Sequence, residues 1–307
     1  MRVLLTGSTG QLGQALRAGQ PAHVAGKAVE LIATSRTGGP GLRPLDLADP
    51  EACRAAVLDL QPDWIFNVGA YTAVDQAEQQ PDLAERVNAG APLAFAQAAA
   101  ETDARFLQLS TDFVFNGGQG SPYRPDQARQ PLGVYGATKA KGEEAVQATL
   151  GAEGRGVILR TSWVMGPVGR NFLTTMLRLH HERDHLGVVA DQVGSPTSTL
   201  TLAAACWQLI QRTASEDQRL PDVLHWSDAG VASWYDVAVA VGELGTAAGL
   251  LARPAQVKPI TTADYPTPAQ RPPYSVLDCS FTRSWLGLPG MHWRTALNGV
   301  MAALAAA

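Results

Sequence analysis

Residues 3–13, Val3-Leu4-Leu5-Thr6-Gly7-Ser8-Thr9-Gly10-Gln11-Leu12-Gly13, decide the fold. A short apolar run leads straight into a G-x-x-G-x-x-G turn, and residues 11–18 then carry helix formers. The spacing predicts a strand, a tight turn and a helix in immediate succession. Such a turn brings backbone close to a pyrophosphate and aims the free amides of a helix N-terminus at its negative charge. Three glycines alone also make an ordinary turn. The strand before them and the helix after them single out dinucleotide binding, with Gly7, Gly10, Gln11, Leu12 and Gly13 as candidate contacts.

The same alternation continues along the chain. Apolar runs at residues 31–34, 64–68, 106–110 and 157–161 read as strands buried on both faces, with residues 50–60, 82–101 and 135–150 as crossover helices. Together with residues 3–6, this predicts an α/β fold built on a Rossmann-type, doubly wound parallel sheet. Beyond about Trp163, helical patterns at residues 172–183, 199–212, 234–244 and 293–304 are separated by proline-rich loops. That change of rhythm predicts a smaller C-terminal substrate-binding lobe. Residues 1–165 are therefore read as the NAD(P)-binding domain, with segments near 188–226 returning to it, and residues 166–307 as mainly the substrate lobe. Residues 264–273 hold four prolines and are expected to form a loop of fixed shape at the surface or along the site. The alanine-rich end, residues 302–307, is expected to fray.

Composition removes several function classes. Twenty-four Lys and Arg against 28 Asp and Glu leave a net charge of −4, so nothing draws the chain to a nucleic-acid backbone. Cys53, Cys206 and Cys279 lie far apart, which reads as buried reduced thiols and suggests neither disulfides nor a metal site. The first apolar run is too short for a secretory signal, and the most apolar stretch, residues 231–252, is interrupted by Asp236 and Glu243. A cytoplasmic enzyme that does not span a membrane is expected.

Further cofactor contacts follow from strand ends. Ser35-Arg36 closes the second strand, where NAD-specific proteins carry an acidic residue for the ribose hydroxyls; a cation there favours the 2'-phosphate of NADPH. Arg36 as a plain solvated charge stays open, and with it NADH. Asp46-Leu47 suits the adenine end, and Gly69-Ala70 follows a strand at the edge where ligands of open α/β sheets bind.

Tyr135 and Lys139 stand four apart, on one helical face, 24 residues after Ser110-Thr111-Asp112 ends a central strand. A Y-x-x-x-K pair after a Ser/Thr strand end, with the glycine turn at the start, resembles the short-chain dehydrogenase/reductase superfamily in its extended form. A free phenol titrates near pH 10, so Lys139 is expected to lower the pKa of Tyr135. Tyr135 would then give its proton to a carbonyl as hydride arrives from nicotinamide, Thr111 would hold that oxygen, and Lys139 would also hold the nicotinamide ribose, as the resemblance implies.

Closer motifs narrow the resemblance. Residues 10–13 (GQLG), 70–78 (AYTAVDQAE), 110–115 (STDFVF), 134–139 (VYGATK), 160–164 (RTSWV), 191–197 (DQVGSPT) and 265–272 (YPTPAQRP) are similar, in order and from end to end, to the dTDP-4-dehydrorhamnose reductases. That resemblance implies reduction of the C4 ketone of dTDP-6-deoxy-L-lyxo-4-hexulose to dTDP-L-rhamnose. It adds Tyr71 and Thr72 to the cofactor contacts and assigns Val74, Thr111, Asp112, Phe113, Tyr135 and Trp163 to the sugar. Trp163 reads as an apolar wall or a core residue, and Arg271 as a diphosphate contact or a brace for the proline-rich loop. Some family members dimerise through a magnesium ion held by glutamates; Ala15 and Arg294 stand at the corresponding places, so a homodimer stays open while a metal bridge is not expected. Two alternatives remain: a nucleotide-sugar epimerase or dehydratase, and a non-catalytic NADP-binding regulatory subunit of the methionine adenosyltransferase type. A dehydratase would need glutamate where Phe113 stands, and a regulatory protein has no need of Thr111, Tyr135 and Lys139 together.

Overall fold

The computed structural model describes residues 1–216 and 219–306. Its principal strands are β1 (Arg2–Leu5), β2 (Glu30–Ser35), β3 (Arg43–Pro44), β4 (Trp64–Asn67), β5 (Arg105–Thr111), β6 (Gly156–Thr161), β7 (His185–Val189), β8 (Val223–His225) and β9 (Gln256–Ile260). Seven of them form one sheet in the order β8-β6-β5-β4-β1-β2-β3, with every neighbouring pair parallel. The order reverses between β1 and β4, which is where a doubly wound sheet opens a crevice at the C-terminal ends of its strands.

The principal helices are α1 (Gln11–Ala18), α2 (Pro50–Leu60), α3 (Ala91–Thr102), α4 (Val134–Leu150), α5 (Phe172–Glu182), α6 (Thr199–Glu216), α7 (Trp234–Ala247) and α8 (Trp293–Ala305). The sheet explains why the strand sequences are continuously apolar. Val3, Leu5, Trp64, Phe66 and Leu107 pack on one face with Leu12 and Leu16 of α1 and Leu202 and Trp207 of α6. Leu4, Ile65 and Phe106, one residue out of phase, pack on the other with Val57 of α2, Phe95 of α3 and Val146 of α4. A separate core joins Leu173 and Met176 of α5 to Leu186 and Val188 of β7, Val237 and Val241 of α7, and Leu297 and Val300 of α8. The later chain also contributes to the main sheet: α6 covers one face and β8 extends it beside β6. All three cysteines are buried and free.

Two expectations need correction. Residues 82–101 are not one helix: an α-turn at Pro81–Glu85 passes through a π-turn at Arg86–Gly90 into α3. Pro92 has no N–H to return to the carbonyl of Asn88, so the ladder widens there, and Ala91 bonds back to Arg86 O. The alanine-rich end does not fray over its first part, because α8 runs to Ala305 on good helix formers and buries Val300 and Met301; Ala307 lies outside the described residues.

Candidate active site

The glycine turn sits at the switch point between β1 and β4. Gly7 has φ +63°, and a Cβ on it would lie 2.6 Å from Gly69 Cα, so both chains need glycine to approach. A Cβ on Gly13 would lie 2.2 Å from Gly7 O, which closes the turn onto the first helical residues. Gly10 precedes α1 and supplies no side-chain cap, leaving the helix N-terminus to an outside anion. A cradle that any Cβ would fill and an uncapped helix start together fit a dinucleotide pyrophosphate. The other two candidates in the motif behave differently. Leu12 is buried in the core, so only its backbone faces the turn, and the Gln11 side chain turns toward the later chain, accepting from Gly166 N at 2.9 Å and Asn171 Nδ2 at 2.7 Å.

At the end of β2, Ser35 is buried and donates to Gly38 O at 3.0 Å, while Arg36 is exposed and forms no ion pair among the described residues. Asp46 accepts from Ala48 N at 3.0 Å, and Leu47 packs so closely on Gly69 that a methyl there would lie 2.6 Å from its Cδ1. Polar residues absent from the sequence reading stiffen this edge. The Thr6 hydroxyl donates to Asn67 Oδ1 at 2.6 Å and accepts from Gly69 N at 3.1 Å, and Asn67 Nδ2 donates to Gln108 Oε1 at 2.8 Å. Asn88, in the π-turn, holds the Tyr71 backbone from both sides and also donates to Thr138 Oγ1 at 3.1 Å. Ala70 is half-buried beside this loop, and Thr72 is exposed at its end. Only the fold shows that Asn88 and Tyr71 are neighbours.

The three candidate catalytic residues meet where β5 ends beside α4. Gly136 lets the first turn of α4 press against the strand end, since a Cβ there would lie 2.2 Å from Phe113 O. The Thr111 hydroxyl donates to Asp112 Oδ1 at 2.9 Å and accepts from Phe113 N at 3.2 Å. Tyr135 is half-buried with its ring edge-on to Phe113 at 5.6 Å. Burial first, and the charge of Asp112, push its pKa up to about 12 against a side-chain hydrogen bond with Thr111. Lys139 is not among the groups that shift it, contrary to the expectation. The Lys139 ammonium instead donates to Leu109 O at 2.6 Å, and burial pushes its own pKa down to about 8 against the pull of Glu143. Burial likewise raises Asp112 to about 6; Ser275 and Thr111 oppose that rise, but the geometry leaves Asp112 Oδ2 without a hydrogen-bond partner.

Beneath Lys139 lies a charged cluster that the sequence alone did not reveal. Glu143, one turn along α4, is fully buried and takes Arg160 Nε at 2.9 Å and Nη2 at 2.7 Å, with Arg129 Nε at 2.5 Å. Burial would raise its pKa, yet the two arginines hold it below the usual carboxylate value. His225 of β8 lies 3.3 Å from Arg160 and is kept neutral, chiefly by burial, with a pKa pushed down to about 3.

Beside Phe113, whose ring meets that of Tyr135, a cavity of about 570 Å³ is lined by Asp75, Phe113, Trp163, Arg271 and Ser275 among others. Trp163, at φ +46°, stacks on Trp234 of α7 with ring centroids 3.6 Å apart, and Gly194 leaves room for it: a Cβ there would lie 2.5 Å from its ring. It is thus a wall of the cavity that is also packed from behind. Arg271 reaches the cavity while its guanidinium holds both oxygens of Asp75 at 2.8 Å. Val74 is half-buried at the start of the short helix that carries Asp75. Tyr265 and Thr267 of the proline-rich loop also line this cavity. Trp234, Phe172 and Gln192 also line it; Gln192 belongs to the motif at residues 191–197, while nothing in the sequence ties Trp234 and Phe172 to Trp163.

Residues 1–306 match the family model described as RmlD substrate binding domain. The dTDP-4-dehydrorhamnose reductase of Streptomyces griseus is 39% identical over 303 residues, covering 99% of this chain and 94% of that protein. The one from Aggregatibacter actinomycetemcomitans is 36% identical over 301 residues, 98% of each. The chain belongs to the dTDP-4-dehydrorhamnose reductase family. A solved dTDP-4-dehydrorhamnose reductase from Bacillus anthracis, in complex with NADP, superposes with a TM-score of 0.85 at 30% identity, covering 98% of this chain and 99% of that one. The UDP-glucose 4-epimerase of Thermus thermophilus, at 18% identity and a TM-score of 0.78, shares the fold alone. Ala15 is half-buried in α1, and Arg294 of α8 pairs with Glu243. Among the described residues, no group of three or more His, Cys, Asp or Glu is placed to hold a metal ion, and no helix is long and apolar enough to cross a membrane.

Proposed function

We propose that this chain reduces the C4 ketone of dTDP-6-deoxy-L-lyxo-4-hexulose to dTDP-L-rhamnose with NADPH. The observation that carries the reading is the meeting of Thr111, Tyr135 and Lys139 where β5 ends, on the same edge of the sheet as the glycine cradle, with Phe113 joining Tyr135 to the cavity wall. When bound, the dinucleotide would supply the hydride. Gly7, Gly10, Gly13 and the amides of Gln11 and Leu12 hold its pyrophosphate; Ser35, Arg36, Asp46 and Leu47 hold its adenosine half; and Gly69, Ala70, Tyr71 and Thr72 flank its middle. Arg36, exposed and unpaired among the described residues, favours the 2'-phosphate.

Tyr135 is the acid. A phenol with its pKa near 12 stays protonated through the neutral range, which is the state a reduction needs before the ketone oxygen gains charge. As that oxygen becomes an alkoxide it takes the phenolic proton, and Thr111 holds the oxygen in line by turning its hydroxyl proton from Asp112 to the substrate. Lys139, fixed by Leu109 O, holds the cofactor ribose. Val74, Asp112 and Phe113 contact the sugar, Trp163 covers its apolar side, and Arg271 faces the diphosphate. Residues 1–165 with the returning segment form the cofactor domain, and most of residues 166–307 the substrate lobe. Phe113, where a dehydratase needs an acid, argues against water elimination.

The test is oxidation of NADPH by purified protein given the keto-sugar, with the nucleotide-sugar product identified. Formation of dTDP-L-rhamnose supports the proposal. Binding of NADPH without its consumption would overturn it in favour of a regulatory protein, and tightly held NAD with an epimerised product would favour an epimerase.

A further inference from the structure

The motif at residues 70–78 contains two carboxylates, Asp75 and Glu78, to which neither the cofactor nor the sugar assigns a role. They reach different elements. Asp75 receives Arg271 Nη1 and Nη2, each at 2.8 Å, and Ala269 N at 3.1 Å, all from the proline-rich loop between β9 and α8. Arg271 lowers the Asp75 pKa, so this carboxylate is charged whenever the enzyme works. Glu78 Oε1 accepts from Val134 N at 2.8 Å, at the first residue of α4 and next to Tyr135. No side chain of α4's own caps this end: its N-cap is Gly133, where a Cβ would lie 2.6 Å from the Glu78 oxygen. The cap comes instead from a segment remote in sequence, and glycine is what admits it.

We infer that Asp75 and Glu78 are positioning residues: Glu78 fixes the first turn of α4 and so the Tyr135 hydroxyl, while Asp75 fixes Arg271 across the cavity. The inference rests on the reduction proposed above. One short helical turn, Val74–Ala77, with Glu78 at its end, thereby sets the distance between the proton donor and the cation that faces the substrate diphosphate. The two carboxylates divide the work between the chemical step and binding. Loss of Glu78 loosens a group that acts only as the ketone gains charge. Loss of Asp75 loosens a group that grips the substrate equally before and during reaction.

The test uses the full-length protein with Glu78→Ala, Glu78→Gln and Asp75→Asn. Glu78→Ala is expected to lower kcat about tenfold, the scale of one lost hydrogen bond to a charged group, with the substrate KM and the NADPH Kd unchanged. Glu78→Gln, which keeps an acceptor oxygen, is expected to recover most of that loss. Asp75→Asn is expected to raise the substrate KM and weaken binding of dTDP alone, with kcat near the wild-type value. Amide exchange at residues 134–137 should speed up in Glu78→Ala at an unchanged unfolding midpoint. That measurement and dTDP titration read the two carboxylates even if wild-type protein fails to oxidise NADPH, which would sink the reduction and not this inference. A parallel fall in kcat and rise in KM in both alanine and asparagine variants, tracking a lower midpoint, would show them to be ordinary structural contacts and overturn it. So would unchanged exchange at residues 134–137 together with unchanged dTDP affinity.

Discussion

Replacing Asp112 with asparagine should stabilise the protein at alkaline pH while weakening its hold on the sugar. Asp112 is 2% exposed, and burial raises its pKa from 3.8 to about 6. Because the folded-state value is raised, protonation favours the fold: that contribution is complete below the unfolded value of 3.8 and is lost as the pH rises through about 6. The shift from 3.8 to about 6 is a little over two units, which at ~1.4 kcal/mol per unit amounts to about 3 kcal/mol of native stability forgone once the carboxylate is ionised. Asparagine keeps the oxygen that accepts from Thr111 and replaces the unpartnered Oδ2 with a neutral donor beside Ser275. Thermal unfolding of both proteins between about pH 4 and about pH 8 measures the effect. The variant should gain about 5 °C at the alkaline end, and the gain should shrink toward zero at the acid end. A gain that is flat with pH, or a wild type that is the more stable at the alkaline end, would refute the assignment of a strained buried charge to Asp112.

Three further outcomes are expected. Tyr135→Phe removes the proton and little volume, so turnover should fall about 10³-fold with NADPH binding intact; an undiminished rate would remove Tyr135 from the chemistry. Arg36→Ala should weaken NADPH and leave NADH unchanged in a fluorescence titration, whereas equal loss for both would break the link to the 2'-phosphate. Glu143→Gln strands two arginines in the interior and should cost about 3–5 kcal/mol in denaturant unfolding. The same change removes the charge that holds the Lys139 pKa up, so the basic limb of the pH–rate profile, governed by a group near pH 8, should move to lower pH; a limb that stays in place would separate Lys139 from Glu143.

How far the site could be read in advance varied from residue to residue for physical reasons. Gly7, Gly13 and Gly69 follow from a local requirement, close backbone approach, and the structure meets it with contacts that no Cβ would survive. Leu12 and Gln11 sit in the same motif, yet one side chain enters the core and the other bonds to Gly166 and Asn171, because adjacent residues on a helix point to different faces. The expected drop in the Tyr135 pKa did not appear, since burial and Asp112 act on the phenol while Lys139 is committed to the Leu109 carbonyl. Pro92 lies inside the stretch read as one helix, and its effect on the Asn88 carbonyl, with the π-turn that carries Asn88 to Tyr71, shows only in the folded chain.

By itself the sequence determined the class of fold and put forward the candidate trio Thr111, Tyr135 and Lys139. Both rest on short-range regularities: apolar runs that can only be buried on both faces of a parallel sheet, a glycine spacing set by phosphate geometry, and a Tyr–Lys separation set by the helical turn. Only the tertiary structure decided what surrounds that trio. The Asp75–Arg271 pair spans 196 residues, the Glu78–Val134 cap 56 and the Arg160–Glu143 pair 17. Trp163 stacks on Trp234 within the wall of the cavity. Such partners are chosen by how layers of the fold close on one another, and a desolvated charge is stabilised only by whatever that closure places beside it.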